Sequence, residues 1–372
     1  MYFYYDNLNK IIVVFNIITL PVVILFIASG FGQLIYAIQL QRKFPKEHNF
    51  NNSILIFILW ILAGFLYPFF YSTDDASIRC FQMLSTIFIC VITPFIIFLI
   101  LFYQYRFVIK KNPDIKEKRN IEVYIKDFDK FNNEIKDIRA YDLNTDIHRK
   151  ALHLVPAGTI IFLWVFAVYI WAGIWKADQI WGINGEDFGR FLILTVGFSG
   201  ILVFAAMDYV RLSYIFEKRN LYHFLPEMVS ELLTKTIKRK EIYEFTKPTA
   251  LVLAFISVFF FPFGIFAAAA LIATLGDGAA SIFGMRFGKR NFPKKSKKTV
   301  IGYIAGFLVS FIVSIIALWI FDSDLPLEKI IVLSFGGAIM FLIIDLLSLK
   351  VDDNILNPIF CAIIMGILYF YL

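Results

Sequence analysis

Apolar runs fall at about 11–40, 53–71, 81–109, 151–175, 190–210, 249–261, 263–283, 300–321, 328–347 and 355–372. Most hold the roughly 20 apolar residues that a helix needs to cross a bilayer. The pattern predicts an all-α, polytopic integral membrane protein with about ten transmembrane helices. The runs flanking Phe261-Pro262-Phe263-Gly264 are each short for a span and together too long for one. A tight turn at Pro262 is therefore expected between them.

The polar stretches set the orientation. With the N-terminus outside, the cytoplasmic segments are 41–52, 110–150, 211–248, 284–299 and 348–354. With their immediate boundaries they hold 31 of the 36 Lys and Arg, leaving Lys10, Arg79, Lys176, Arg190 and Lys329 on the other side. That asymmetry follows the positive-inside rule. It also accounts for the net charge of +7, so no nucleic-acid partner is expected. A chain that is 59% hydrophobic and 17% charged lies far from soluble composition. Cys80, Cys90 and Cys361 show no paired spacing, which argues against a disulfide framework or a zinc site. No cationic region or cleavage site accompanies the first apolar run, so no cleaved signal peptide is expected. The domain reading is a three-helix extension over 1–110, a charged cytoplasmic loop over 111–145 and a seven-helix catalytic core over 146–372.

Four polar constellations stand out, all on the side assigned to the cytoplasm. Asp146-Ile147-His148-Arg149-Lys150-Ala151-Leu152-His153 opens the fourth helix; Arg149 and His153 share a face, and His153 lies one turn into the membrane. Snorkelling to lipid headgroups would explain the two cations without chemistry. Asp208-Tyr209-Val210-Arg211 closes the fifth helix, either as a local ion pair or with Asp208 facing a polar cavity as a base or metal ligand. Gly276-Asp277-Gly278, Ala279, Ala280, Ser281 and Gly284 end an apolar run, and Lys298-Thr299 and Gly302 follow a lysine cluster. Small residues at this spacing allow close helix packing and also let amide groups approach phosphate oxygens. Asp352-Asp353-Asn354 precedes the last helix, with Asp345 in the one before; an acidic turn on a cationic side suggests a metal such as Mg²⁺, or an Asx turn joining two helices.

Together RKALH (149–153), DYVR (208–211), GDGAASIFGMRFGK (276–289), KKTVIG (297–302) and DDNILNP (352–358) resemble the polyprenol kinase family, which includes dolichol kinase, CTP-dependent diacylglycerol kinase and phytol kinase. The resemblance covers roughly residues 146–372. It implies transfer of the γ-phosphate of CTP to the hydroxyl of a membrane isoprenoid alcohol or of diacylglycerol. Arg149, Lys150, Asp277 and Gly284 match positions that the family relies on for activity. Lys298, Thr299, Gly302, Asp353, Asn354 and Pro358 match its later motifs, while Ile301 stands where the family usually has an acid. On this reading Mg²⁺ is held by Asp277 with Asp353. Lys298, Arg149 and Lys150 offset the charge on the transferred group, and Asp208 or His153 accepts the hydroxyl proton. Gly276, Gly278, Ala280, Gly284, Lys298, Thr299, Gly302 and Asn354 form the nucleotide-binding set. Two other readings compete: a CTP:phosphatidate cytidylyltransferase, which shares several of these pieces, and a membrane transporter. A transporter would distribute its ionisable groups through the midplane.

Overall fold

A computed structural model of the chain describes residues 15–71, 76–134, 138–216, 220–237, 239–293, 298–347, 349 and 351–372. The expected start of the first span, and Lys294, Lys295 and Lys297 of the lysine cluster, lie outside the described residues. Among the described residues the structure is helical, with a single isolated β-bridge between Asn291 and Thr299.

Among the described residues nine helices are long and apolar enough to cross a membrane: α1 (Leu20–Lys43), α2 (Phe50–Tyr71), α3 (Ser77–Ile109), α4 (Leu143–Ile174), α5 (Gly185–Ile215), α7 (Phe263–Phe287), α8 (Val300–Phe321), α9 (Leu327–Leu347) and α10 (Asp353–Tyr371). Between α5 and α7 lies α6 (Lys247–Val258), apolar but only 12 residues long. Pro262 caps the start of α7, and the chain between Phe259 and Pro262 makes the tight turn expected there. The protein is thus an all-helical multi-pass membrane protein. Large exposed side chains run along its outer surface, including Phe95, Phe98 and Phe102 on α3 and Ile304, Leu308 and Ile312 on α8. Such continuous apolar exposure is tolerated where the surrounding solvent is lipid.

The centre of the bundle is α6. Apolar on every side, it must be enclosed by protein on every side. Leu253 and Ile256 pack into a core formed by Phe26 of α1, Trp60 and Tyr67 of α2, Phe198 of α5 and Ile355 of α10. Leu251, Phe255 and Val258 face a second core with Trp164 of α4, Ala267 to Ala270 of α7, Leu318 of α8, Phe341 of α9 and Met365 of α10. Helices α1 and α2 therefore share a core with the segment that carries the polar motifs. The charged loop contributes short helices at Asp114–Lys118 and Ile121–Glu134. Glu227–Thr236 follows α5, and Leu225, Leu233 and Ile237 there pack with Val210.

Small residues bring α7 and α8 together. A methyl group at Gly276 would overlap the Ser310 hydroxyl, and one at Gly302 would lie 2.7 Å from the Ala280 carbonyl. Gly284 meets Thr299 and Gly302 in the same way. Residues 276, 280 and 284 on one helix and 302, 306 and 310 on the other recur every four positions, the spacing of one packing face.

Candidate active site

One end of the bundle gathers nearly all the buried charge. Asp146, Lys150, His153, Asp208, Arg211, Glu241, Asp277 and Asp345 are buried, and all but Asp277, which lies within α7, are near the same ends of their helices or in the segments joining them. The charge sits on neighbouring helices and the segments that join them.

The first turns of α4 form the hub. Arg149 donates to Asp146 at 2.5 Å and to Glu241 at 3.3 Å. The other oxygen of Asp146 accepts from Ser281 of α7 at 2.5 Å. One turn deeper, Lys150 donates to Oδ2 of Asp277. Asp277 itself follows a π-helical widening over Ile272–Gly276, an irregularity that recurs at functional positions. Lys298 reaches the end of α9, donating to the Asp345 carboxylate at 2.5 Å and to its backbone carbonyl at 3.1 Å. Burial would lower the Lys298 pKa, but Asp345, with Asp353 and Asp277 behind it, drives the net shift upward. This ammonium therefore keeps its charge.

Lys247, at the head of α6, closes the ring through Glu241 at 3.4 Å and Asp352 at 3.9 Å. Asp353 lies in the field of Lys247, Lys150 and Lys298 without a short contact to any of them. Asp352 caps α10 by accepting from the Asn354 amide at 3.0 Å, so the Asx turn considered from the sequence is present. Lys247 and Glu241 are outside the candidate set read from the sequence, and Asp345 enters it only as part of an acidic stretch, with no role of its own. The acidic stretch around Asp345 carried a signal, whereas Lys247 was indistinguishable from the general cationic bias of its loop.

Asp208 stands behind this ring. Its Oδ1 accepts from Arg211 Nε at 3.3 Å and Nη2 at 3.0 Å, and its Oδ2 accepts from the Thr246 amide and hydroxyl, both at 2.8 Å. Arg211 also donates to the carbonyls of Ile242, at 2.8 Å, and Glu244. The pair thereby clamps the segment that presents Glu241 and Lys247. From the far side, His48 Nδ1–H donates to the Tyr243 carbonyl at 2.9 Å, and Ser53 can donate to Nε2 at 3.3 Å. Burial pushes the His48 pKa below its ordinary value, with the Tyr243 carbonyl opposing. Asn52 accepts from the Asp352 amide at 2.8 Å, so the α1–α2 connection supports the site twice.

His153 differs from Asp208. It is buried, close to the charges of Lys150, Lys247, Arg149 and Asp353, and its Nδ1 has no hydrogen-bond partner. Asn354 Oδ1 is also buried and unpartnered. Thr299 caps α8 by accepting from the Gly302 amide at 3.2 Å. Gly276, Ala280, Gly284 and Gly302 lie along the α7–α8 seam, while Gly278 has only Lys150 Cβ nearby, at 3.9 Å from an added methyl.

Six carboxylates (Asp146, Glu241, Asp277, Asp345, Asp352, Asp353) meet four cations (Arg149, Lys150, Lys247, Lys298) in this cluster. Among the described residues the excess is negative, and a triphosphate would add to it. Among the described residues no three His, Cys, Asp or Glu side chains converge on a metal position. A Mg²⁺ ion brought in with substrate phosphates would need only one or two of these carboxylates rather than a protein cage. No family model, curated protein or solved structure matches this chain.

Proposed function

We propose that the charged end of the bundle is the catalytic site of a CTP-dependent lipid kinase, acting on a membrane isoprenoid alcohol of the dolichol or polyprenol type or on diacylglycerol. One observation carries the reading. Arg149, Lys150, Asp277, Lys298 and Asp353, which match motif positions of the polyprenol kinases, belong to one cluster although they come from distant parts of the chain. The concentration of Lys and Arg in the loops at this end supports a cytoplasmic orientation, the side that supplies CTP.

In the proposed reaction the lipid oxygen forms a bond to the γ-phosphorus, the bond from that phosphorus to the bridging oxygen breaks, and CDP leaves. Asp277 and Asp353 would hold Mg²⁺ with the phosphates, and the ion supplies charge neutralisation when bound. Lys298, Lys150 and Arg149 face the charge that develops on the phosphoryl group. His153 takes the hydroxyl proton at Nδ1, which no other group occupies, whereas both oxygens of Asp208 are already engaged. Asp208 then acts as a positioning residue for the 241–247 segment.

The test is product analysis on purified protein with Mg²⁺, γ-labelled CTP and a panel of lipid alcohols. The expected result is label in one lipid class, abolished in Asp277→Asn and His153→Ala. Label released as pyrophosphate while the cytidylyl group enters a lipid phosphate would identify a cytidylyltransferase instead. Absence of transfer from CTP or ATP to every lipid would refute the kinase.

A further inference from the structure

At the other end of the same helices lies a cavity of about 360 Å³ that the proposed chemistry does not use. Its wall includes Trp164 of α4, Glu186 and Arg190 of α5, Phe263 of α7, and Phe321 and Asp322 at the close of α8. The volume falls in the range of small-molecule sites. Trp164 and Phe263 stack with ring centroids 3.8 Å apart, and Phe321 stands edge-on to Phe263 at 5.1 Å. That stacked pair is an apolar wall, while Phe260 and Phe370, also lining the cavity, are exposed and give it aromatic surface able to attract a cation.

The polar groups are unevenly matched. Arg190 approaches Glu186 at 3.9 Å, but both side chains are more than half exposed and the pair is weak. Among the described residues Asp322 pairs with no cation: its Oδ2 is buried against the backbone of Gly264, whose amide is its nearest polar group. A buried oxygen of this kind costs stability unless a ligand or water satisfies it. Aromatic walls beside an unmatched carboxylate suit an organic ammonium group better than a bare metal ion, which would need several oxygen ligands.

We infer that this cavity binds a substituted ammonium group, with Asp322 as its counter-ion and the Trp164 and Phe263 side chains as its apolar wall. The cavity opens where the spans end, so the same group can arrive as a free amine or as the headgroup of a phospholipid. In the second case Arg190, which lines the same cavity, is the cation available to the headgroup phosphate. This site is independent of the kinase reading and stands or falls without it.

The experiment uses the full-length protein in a choline-free detergent. Choline chloride should raise the thermal unfolding midpoint saturably, with NaCl and MgCl₂ at equal ionic strength as controls. Asp322→Asn should weaken the apparent affinity by about tenfold, and Trp164→Leu should weaken it as well. Glu186→Gln, which leaves the counter-ion in place, tests whether any carboxylate loss has the same effect and should change affinity less than Asp322→Asn. A second arm compares discs of phosphatidylcholine with discs of phosphatidylglycerol. Stabilisation by choline lipid that Asp322→Asn removes identifies the headgroup as the source, and stabilisation by soluble choline alone identifies a free amine. No saturable effect in either arm, an equal effect of MgCl₂, or an undiminished response in Asp322→Asn would overturn the assignment.

Discussion

The contact between Lys150 and Asp277 offers the sharpest test of how the charged end is built. Both side chains are only 9% exposed, so each neutralises a charge that is largely shielded from water. Removing one partner of a buried pair typically costs ~3–5 kcal/mol, because the remaining charge stays buried without compensation. Lys150→Met should therefore destabilise strongly, and Asp277→Leu similarly. The double variant should recover most of the loss, since two apolar groups can replace a buried pair at little cost. With an unfolding entropy of ~2 cal/mol/K per residue over 372 residues, a loss of ~4 kcal/mol lowers the midpoint by ~5 °C. Thermal unfolding in one detergent at matched concentrations measures all four proteins, and the double-mutant cycle isolates the coupling. Single variants within ~1 °C of the parent would refute the reasoning, because they would mean that the pair is hydrated and contributes as little as a surface bridge. Catalysis should fail in both single variants and in the double variant, so the recovery of stability without activity separates the two roles.

Two further outcomes follow from packing and titration. Gly302→Ala places a methyl against the Ala280 carbonyl, a backbone atom that cannot rotate away, and should cost ~1–3 kcal/mol; Gly200→Ala meets nothing within 4 Å and should stabilise by ~0.5–1 kcal/mol. Equal midpoints for the two variants would show that the α7–α8 seam is looser than described. Burial raises the Asp322 carboxyl to about 6, with Glu186 and Asp324 adding to the shift, the Gly264 amide opposing it, and Arg190 nearby across the cavity. An unfolded Asp titrates near 4, so the native state is favoured below about pH 4 and loses that advantage as pH rises through 6. Discounted for partial exposure, the effect is ~1–2 kcal/mol, and Asp322→Asn should flatten stability across that window. An unchanged slope would exclude Asp322 as the titrating group.

Much of the architecture could be read from hydrophobicity, because a bilayer imposes a length on every span that crosses it. Most described helices lie within a few residues of the expected runs, although α1 starts nine residues later and α4 eight residues earlier than expected and α6 is short of a span; the turn before Phe263 is where Pro262 indicated. The gathering of polar motifs at one end was also legible, since loop charge alternates with each crossing. Partner choice was not. Nothing in the sequence says that Asp146 reaches Ser281 or that Lys247 meets Asp352, because a charge pattern does not reveal which helices are neighbours. The glycines illustrate a second limit. A missing side chain permits close approach by either a helix or a phosphate, and at Gly276, Gly284 and Gly302 the close partner is the adjoining helix. Asp208 looked equally suited to a base or to a local ion pair; its saturation by Arg211 and Thr246 is a tertiary fact.

The shortness of α6 has a consequence for depth. Its 12 residues span ~18 Å from the turn at Pro262 to Lys247, well under the ~30 Å of a hydrocarbon core. Along α7, Asp277 lies at a similar distance, ~21 Å from the same turn. If that turn sits at one hydrocarbon boundary, the ring of charge is recessed ~10 Å beneath the opposite one. For the proposed kinase, a lipid hydroxyl at headgroup level would then sink to meet this end rather than be lifted out of the leaflet, and its tail would never leave the hydrocarbon. Bilayer thickness becomes a control variable of its own: thicker membranes deepen the recess, and thinner ones bring it to the surface.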